Sequence, residues 1–303
     1  MYLEYFQFKQ EPFNIAPNPN LMYPSSRHKE AIGYLRYGLR GNGGFVMLTG
    51  EVGTGKTMVS RAVLGDLPDS FNVAYILNPT LNNIQLLQTV CDSFEILITD
   101  KNDHKALSDA LQNFLIEQDK LGQSSLLVID EAQHLSAEAL EQLRLFTNLE
   151  TNDKKLLQII LIGQPELQEK LNTRELRQLA QRITARYHLL PLTKDETFEY
   201  INHRVIAVGG NRPLFDKKAM TTIFQQAKGT PRLINLLADR ALMGAYAQGR
   251  FFVDNKMAKQ AAYEVLGSNL GSDVSHKTLK VAVLSIIAVT ALITVITRNF
   301  FTQ

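Results

Sequence analysis

The stretch GGFVMLTGEVGTGKTMVSRAVLGDL, residues 43–67, decides the fold. Its apolar first part predicts a β-strand over Gly44–Thr49, and its last part has a helical pattern. The turn between them, Gly50–Thr57, matches G-x-x-x-x-G-K-[ST], the phosphate-binding P-loop, in the strand–turn–helix context that this motif requires. Average composition gives odds of roughly 1% that this motif arises by chance in such a chain.

The residue types of the P-loop suit a nucleoside triphosphate bound with magnesium. Glycines let backbone N–H groups turn inward around the phosphates, and the N-terminus of the following helix adds favourable potential. We expect Lys56 to reach the β and γ oxygens and Thr57 to ligate magnesium. ATP and Mg²⁺ are therefore the predicted ligands, and the predicted nucleotide contacts are Gly50, Glu51, Val52, Gly53, Thr54, Gly55, Lys56, Thr57 and Met58.

An acidic pair follows the apolar run SLLVI, in the sequence SLLVIDEAQHL of residues 125–135. A continuously apolar strand is typical of a buried parallel sheet. Asp130 at its end is expected to hold the magnesium shell through water, and Glu131 to polarise the water that attacks the γ-phosphate. Elsewhere such a pair is usually a helix N-terminal charge or a solvated surface. His134 makes DEAQH resemble a helicase box, but without other helicase motifs it is interpreted as a helix-start histidine.

Two side-chain amides are candidates for the same site. Gln164 ends the apolar run LQIILIG, where it can hydrogen-bond the attacking water or the γ-phosphate, or alternatively act as a capping or turn amide. Asn78 ends the run VAYIL, next to the expected position of Glu131. It is predicted to hold that carboxylate away from the water until a partner binds.

Two arginines complete the predicted site and point to an oligomer. Arg182 precedes the last predicted strand, where it can project onto the γ-phosphate held by a neighbouring subunit, and Arg186 is the competing candidate. Arg232 begins a later helix directly after Pro231, a residue that favours the first turn, and is expected to reach the nucleotide within its own chain. A single arginine is otherwise more often a surface salt-bridge residue.

Short apolar runs alternate with helical patterns in the first two thirds of the chain, which predicts an α/β fold with a parallel sheet. The predicted strands are Gly44–Thr49, Val73–Leu77, Ser125–Ile129, Leu156–Ile162 and Tyr187–Leu190. Helical patterns then dominate, at Asp195–Val208, Lys217–Ala227, Pro231–Ala247 and Asn255–Leu266. This organisation predicts a nucleotide-binding domain over 1–192, a smaller all-helical domain over 193–266, a flexible linker over 267–278, a transmembrane helix over 279–297 and a short tail over 298–303.

The membrane helix is predicted from Val281–Thr297, about 17 residues without a charge and with apolar residues on every face. A buried core helix is the alternative. Flanking lysines give a small basic bias, and the need for ATP places the N-terminal part in the cytoplasm. We therefore expect a single-pass protein of the bacterial inner membrane. The net charge of +2 gives no reason to expect specific nucleic-acid binding.

The motifs GEVGTGKT, IDEAQ, GQPEL, QRI with Arg186 following, and GTPR resemble those of AAA+ ATPases in order and spacing. The N-terminal stretch PFNIAPNPNLMYPSSRHKEAIGYLRYGL, with GGFVMLTGEVGTGKT and VAYILNP, is similar to the general secretion pathway protein A (ExeA-type) family, close to MshM-type pilus-biogenesis ATPases. The resemblance implies an AAA+ fold with a helical lid, the roles given above, and a homo-oligomer, either a ring or a dimer with an arginine acting in trans.

The family also implies a setting in the cell envelope. It implies an inner-membrane complex with a partner protein that uses ATP hydrolysis to help assemble a secretin, as in type II secretion. Longer members continue into a periplasmic peptidoglycan-binding module, and the resemblance does not carry that property to this sequence. The alternatives are an ATPase serving a pilus or an exosortase-linked polysaccharide system, a DNA-binding ATPase of the transposition-helper type, or a nucleotide-gated scaffold with slow hydrolysis.

Overall fold

The computed structural model describes residues 2–16, 18, 21–40, 44–77, 79, 81–98, 103–150 and 155–267. The described strands are β1 (Phe45–Gly50), β2 (Phe71–Ile76), β3 (Ser124–Ile129), β4 (Leu157–Gly163) and β5 (Ile183–Leu189). The helices up to the end of the sheet are α1 (Tyr2–Phe6), α2 (Ser26–Arg40), α3 (Lys56–Gly65), α4 (Asn83–Ser93), α5 (His104–Lys120), α6 (Ala137–Phe146), α7 (Pro165–Leu171) and α8 (Arg177–Ala180). The later helices are α9 (Lys194–Ala207), α10 (Lys217–Ala227), α11 (Pro231–Ala247) and α12 (Asn255–Leu266).

The five strands form one parallel sheet in the order β2–β3–β4–β1–β5. Strand β1, which leads into the P-loop, therefore lies between β4 and β5, and β3 lies next to β4. Parallel strands end at the same edge of a sheet, so the chain segments that follow β1, β3 and β4 meet there. This topology brings the P-loop, Glu131 and Gln164 to one edge, and it confirms the predicted α/β parallel sheet.

Four predicted strands match the structure to within two residues at each end. The prediction for the last strand, Tyr187–Leu190, was too short, because β5 begins at Ile183. Strand β5 is at the edge of the sheet and pairs only with β1 among the described strands. Its exposed Thr184 and Arg186 alternate with more buried residues, so the segment lacks the continuous apolar run that marks a central strand.

Helices α9 to α12 pack around an apolar core of their own, which includes Ile201, Leu237 and Leu242. The first residues of the chain join this core, because the side chains of Phe6, Phe8, Phe13 and Leu21 belong to the same apolar cluster as the helices. Backbone contact also links the two, since the N–H of Lys9 donates to the carbonyl oxygen of Val208 at 2.9 Å. The N-terminal segment therefore packs on the helical part, while the predicted division at residue 192 stays a prediction.

Buried Arg204 fixes this N-terminal segment where it passes over α9. Its Nε donates to the carbonyl oxygen of Pro12, and one of its terminal nitrogens donates to that of Asn14 at 2.9 Å. The other lies 3.3 Å from the hydroxyl of Tyr200, which itself donates to Asn235. A guanidinium offers five donors, so one side chain can satisfy several buried acceptors and hold an irregular segment in place.

The predicted membrane helix and tail, and all of the predicted linker except its first residue, Gly267, lie outside the described residues. Across the residues that are described, every helix is too short or too polar to cross a bilayer. The predicted span stays a prediction.

Candidate functional site: a phosphate-binding loop facing an acidic strand end

The P-loop runs from the end of β1 to the start of α3 and takes its shape from glycines. Gly53 and Gly55 have φ values of 80° and 104°, a left-handed region that side chains disfavour. A β-carbon on Gly55 would lie 2.7 Å from Nε2 of His28, and one on Gly53 would lie 2.6 Å from Cβ of Arg232. The loop therefore requires glycine at both positions for conformation and for space.

The ammonium group of Lys56 is buried inside this loop. Its Nζ donates to the carbonyl oxygens of Gly50 at 2.8 Å and Glu51 at 3.0 Å, and the residue is only 6% exposed. Burial lowers the pKa of Lys56 from its usual value, and the nearby carboxylates of Glu131 and Asp130 act in the opposite direction. A buried cation in a glycine-rich loop at a helix N-terminus provides a binding position for phosphate oxygens.

Thr57 and Asp130 bring a hydroxyl and a carboxylate together next to the P-loop. The hydroxyl of Thr57 donates to Oδ2 of Asp130 at 3.1 Å, and the hydroxyl of Tyr75 donates to the same oxygen at 3.1 Å. The other carboxylate oxygen accepts the backbone N–H of Glu131 at 3.0 Å. Magnesium prefers oxygen ligands and usually keeps several waters, so a hydroxyl and a nearby carboxylate fit a site for Mg²⁺ bound with phosphate.

Glu131 lies at the end of β3 with its side chain held by two amides. The Nε2 atoms of Gln133 and Gln164 both donate to Oε2 of Glu131, the latter at 3.1 Å. Burial raises the pKa of Glu131, but the hydrogen bonds from Gln133 and Gln164, together with the nearby charge of Lys56, lower the pKa overall. The carboxylate is thus ionised at neutral pH. We call Glu131, Gln133 and Gln164 the Glu131 cluster.

The helical part closes the site from the other side. The backbone N–H of Arg232, at the start of α11, donates to the carbonyl oxygen of Gly53 at 3.3 Å. Between the helical part and the P-loop lies a cleft of about 1030 Å³, including the space open to solvent. Its lining includes Lys56, Thr57, Glu131 and Arg232, residues of α9 and α11, and these residues near the start of the chain: Asn14, Ile15, Ala16, Asn18, Leu21, Met22 and Tyr23.

The structure brings together most of the residues singled out in the sequence. Lys56, Thr57, Asp130, Glu131, Gln164 and Arg232 lie at the cleft or in direct contact with residues that line it. Met58 and the loop residues Val52, Gly53 and Gly55 also line it. Asn78 lies outside the described residues, so its predicted role stays a prediction.

Arg182 and Arg186 lie apart from this cleft in the described structure. A terminal nitrogen of Arg182 donates to the carbonyl oxygen of Arg144 and to the hydroxyl of Thr147, both at 3.2 Å, at the end of α6. Arg186 is exposed and donates to the carbonyl oxygen of Ala180. Neither position tests a role toward a neighbouring subunit.

His28 is a part of the site that the sequence did not reveal. It is buried on α2, where its Nδ1 lies 2.6 Å from the hydroxyl of Ser25 and its Nε2 lies 3.2 Å from the carbonyl oxygen of Thr54. A carbonyl only accepts, so Nε2 carries the proton and Nδ1 accepts from Ser25. The histidine thereby holds the P-loop backbone at Thr54 in place. The spacing Ser25-x-x-His28 at the start of a helix was the available signal.

Gln133 was missed as well, although it lies within the quoted IDEAQ motif. Its side chain connects Glu131 with the turn at Gln164, because its Oε1 accepts the backbone N–H of Gln164 at 3.1 Å. His134, interpreted from sequence as a helix-start residue, lies in the 3₁₀ turn Ala132–His134.

Comparison with known proteins supports the interpretation of this site as a nucleotide-binding site of the AAA type. Residues 39–171 match the family model described as an AAA domain. Two solved structures share the fold at 19% identity: the ORC2 protein of Aeropyrum pernix in its ADP form, with a TM-score of 0.63 over 85% of this chain and 73% of that one, and Cdc6p of Pyrobaculum aerophilum, with a TM-score of 0.64 over 84% and 70%. At this level of identity the likeness concerns the fold alone.

A comparison of sequences finds a protein that is similar over most of this chain. General secretion pathway protein A of Aeromonas hydrophila is 50% identical over 267 residues, which cover 88% of this chain and 49% of that protein. The chain thus spans about half the length of this relative. The match supports the resemblance found in the motifs: residues 39–171 match an AAA domain, and most of the chain is similar to general secretion pathway protein A.

Proposed function

We propose that this chain binds ATP with magnesium in the cleft beside the P-loop and hydrolyses it. The observation that carries the proposal is the convergence of a buried ammonium, a hydroxyl–carboxylate pair and an ionised glutamate at one edge of the sheet. Phosphoryl transfer needs mainly positioning and charge stabilisation, and these groups supply both. The likeness of the fold to a protein solved in an ADP form is consistent with a nucleotide ligand.

Each residue has a distinct role in the proposed reaction. Lys56 and the P-loop amides bind the phosphates, while Thr57 and Asp130 hold magnesium, which neutralises charge on the phosphate oxygens. Glu131 orients the attacking water as a general base, and Gln164 hydrogen-bonds this water or the γ-phosphate. Arg232, on the helical part, completes the site within the same chain and links nucleotide state to the position of α11.

The proposal extends to an oligomer in which Arg182, with Arg186 as the alternative, acts on the nucleotide of a neighbouring subunit. Arginines supplied in trans stabilise charge in the transition state of phosphoryl transfer. Mixing Arg182→Ala with Glu131→Gln tests this, because each variant lacks a different half of a shared site. Partial recovery of hydrolysis on mixing supports a trans role, whereas no recovery with either arginine variant contradicts it.

The proposed setting is the bacterial inner membrane, with the ATPase part in the cytoplasm and residues 279–297 as the anchor. There the enzyme would drive assembly of an envelope secretion system together with a membrane partner protein. The 50% identity to general secretion pathway protein A supports this setting, and the shared length of about half of that protein limits what is carried over. A pilus or polysaccharide system is the alternative client.

The nucleotide proposal is tested by Lys56→Ala in a calorimetric titration with Mg-ATP and a phosphate-release assay. The variant removes the buried ammonium, so we expect both binding and hydrolysis to be lost. Lys259→Ala, which changes an exposed lysine on α12, is the matched control and should behave like the parent. Equal binding by the parent and Lys56→Ala would contradict the proposal.

The envelope setting requires a separate experiment. Crosslinking in native membranes, followed by identification of the captured proteins, should recover components of a secretion apparatus. Recovery of pilus or polysaccharide-export components instead would assign the chain to the alternative client. Recovery of the chain only from the soluble fraction would contradict the anchor.

A further inference from the structure

Gln133 is a buried side chain that bridges the segments carrying Glu131 and Gln164. The residue is 9% exposed and lies in the 3₁₀ turn that follows Glu131. Its Nε2 donates to Oε2 of Glu131, and its Oε1 accepts the backbone N–H of Gln164 at 3.1 Å. Both ends of this amide are therefore used, as expected for a buried polar group.

The two partners fix the orientation of the amide. A backbone N–H can only donate, so the atom of Gln133 that faces Gln164 is its oxygen. The NH₂ group then faces Glu131, whose ionised carboxylate can only accept. Neither an apolar side chain nor an ionised glutamate at position 133 reproduces both hydrogen bonds.

Gly163, the last residue of β4, leaves the space that this bridge needs. A β-carbon added to Gly163 would lie 2.9 Å from Oε1 of Gln133 and 2.9 Å from Cδ2 of Leu167. Such distances are shorter than a carbon atom tolerates. The absence of a side chain at residue 163 thus lets the amide of Gln133 pass across the end of the strand to Gln164.

A lysine on helix α7 also contacts the 3₁₀ turn that contains Gln133. Nζ of Lys170 donates to the carbonyl oxygens of Gln133 at 2.7 Å and Leu135 at 2.6 Å. Glu131 itself has a φ of 55°, a conformation that is costly for a non-glycine residue and persists only where its surroundings enforce it. Gln133 and Lys170 supply contacts that enforce it.

We infer that Gln133 is a positioning residue that holds the Glu131 carboxylate and the Gln164 turn together as one unit. The inference rests on the proposed ATP hydrolysis and assigns Gln133 an effect that passes through Glu131. Fixing the carboxylate limits the directions in which it can face the attacking water, and small misplacements of catalytic groups lower rates strongly. ATP binding depends instead on the P-loop, so loss of Gln133 lowers kcat and leaves ATP affinity unchanged.

The test is Gln133→Met in the 303-residue chain, which keeps the size of the side chain and removes both hydrogen bonds. Single-turnover hydrolysis at saturating Mg-ATP should fall about 10- to 100-fold, as for other residues that orient a catalytic group. ATP affinity, measured by calorimetric titration, should stay within about twofold of the parent. Gln168→Met, an exposed glutamine on α7, is the control and should keep the parental rate.

A double variant separates positioning from a general structural effect. If Gln133 acts through Glu131, adding Gln133→Met to Glu131→Gln should lower the residual rate by less than about twofold, because residues that work as a unit are not additive. Multiplicative losses would overturn the inference. A parental rate for Gln133→Met, together with an inactive Glu131→Gln, would also overturn the inference. That result would leave the ATPase proposal intact.

If circular dichroism shows that Gln133→Met does not fold, a second variant tests the inference. Gln133→Asn keeps an uncharged amide but is one methylene too short to reach both partners, so the same loss of kcat is expected. A parental rate for folded Gln133→Asn would overturn the inference. If the parent and Lys56→Ala hydrolyse ATP equally, the proposed function itself has failed.

Discussion

The P-loop and the Glu131 cluster face the same cleft but are built in different ways. The P-loop is one continuous segment, in which Lys56 donates to the carbonyl oxygens of Gly50 and Glu51 a few residues earlier in the chain. The Glu131 cluster is assembled from the ends of β3 and β4, which are 33 residues apart in the chain at the Glu131–Gln164 hydrogen bond. Local sequence therefore specifies the first, and sheet topology specifies the second.

The two regions also differ in charge. In the P-loop a buried cation lies among backbone carbonyl oxygens, a position suited to an incoming phosphate. In the Glu131 cluster a carboxylate accepts hydrogen bonds from two neutral amides, and these bonds and the nearby charge of Lys56 lower its pKa. We therefore expect changes in the P-loop to act on nucleotide and metal binding, and changes in the Glu131 cluster to act on the rate of hydrolysis.

Apart from removal of the Glu131 carboxylate itself, the largest effect is expected at the proposed magnesium position beside the P-loop. Thr57→Val removes the hydroxyl that lies 3.1 Å from Asp130, so we expect hydrolysis to fall about 10²- to 10³-fold and the magnesium requirement to rise. Initial rates measured over a magnesium titration check this. The control is Thr221→Val. Among the described residues, the hydroxyl of Thr221 donates to the carbonyl oxygen of Lys217, within α10. An unchanged magnesium titration for Thr57→Val would contradict the proposed role of Thr57 in magnesium binding.

The matching change in the Glu131 cluster is Gln164→Met. It removes the amide that donates to Glu131 at 3.1 Å, so we expect kcat to fall about 10- to 100-fold. ATP affinity should stay near the parental value, because the P-loop is untouched. Steady-state kinetics with a direct binding titration separates the two quantities. A loss of affinity larger than the loss of kcat would erase the distinction between the two regions.

A smaller effect concerns the shape of the P-loop. Gly55→Ala forces a side chain into a φ of 104° and toward Nε2 of His28, so the free energy of unfolding should fall by about 1–3 kcal/mol. Gly65→Ala, where an added β-carbon meets nothing within 4 Å, should instead gain up to about 1 kcal/mol. Urea unfolding of both variants measures this. Equal effects at both positions would show that the loop tolerates a side chain.

The smallest effect is a pH dependence carried by His28. Burial lowers the pKa of His28 below 6.5, although its hydrogen bond to Thr54 and the charge of Glu196 oppose the shift. The folded state therefore binds the proton less readily than the unfolded state. Stability attributable to His28 is present above the unfolded pKa and is lost as the pH falls toward the folded pKa.

His28→Gln should flatten this dependence between about pH 7.5 and 5.5, by at most about 1.4 kcal/mol per pH unit. Urea unfolding across that range, compared between parent and variant, is the measurement. His203, whose pKa is lowered by burial and by Arg204, is present in both proteins and cancels in the difference. Parallel curves for the two proteins would contradict the assigned environment of His28.

The contrast between the locally specified P-loop and the Glu131 cluster, which depends on sheet topology, also explains which features could be predicted from the sequence. The P-loop and the central strands were predicted because apolar runs and glycine spacing act locally. Helices α10, α11 and α12 were predicted with the bounds that the structure shows, since each has a clear start signal and periodicity. The start of β5 was missed, because an edge strand with exposed polar residues lacks a continuous apolar run.

Contacts between distant segments were beyond prediction from one sequence. The bridge from Gln133 to Gln164 depends on β3 and β4 being neighbours and on the missing side chain at Gly163. The packing of Phe6 and Phe13 with the helical part likewise depends on tertiary structure, since an aromatic residue near the start of a chain does not indicate its partner. His28 was hidden for the same reason.

Single-turnover hydrolysis of saturating Mg-ATP by Glu131→Gln, with its ATP affinity measured in parallel, tests the central claim most directly. Glutamine keeps the shape of the side chain and removes the charge that polarises water. We predict a rate about 10²- to 10⁴-fold below the parent with ATP affinity retained. A rate equal to that of the parent would contradict the assignment of Glu131 and with it the proposed mechanism.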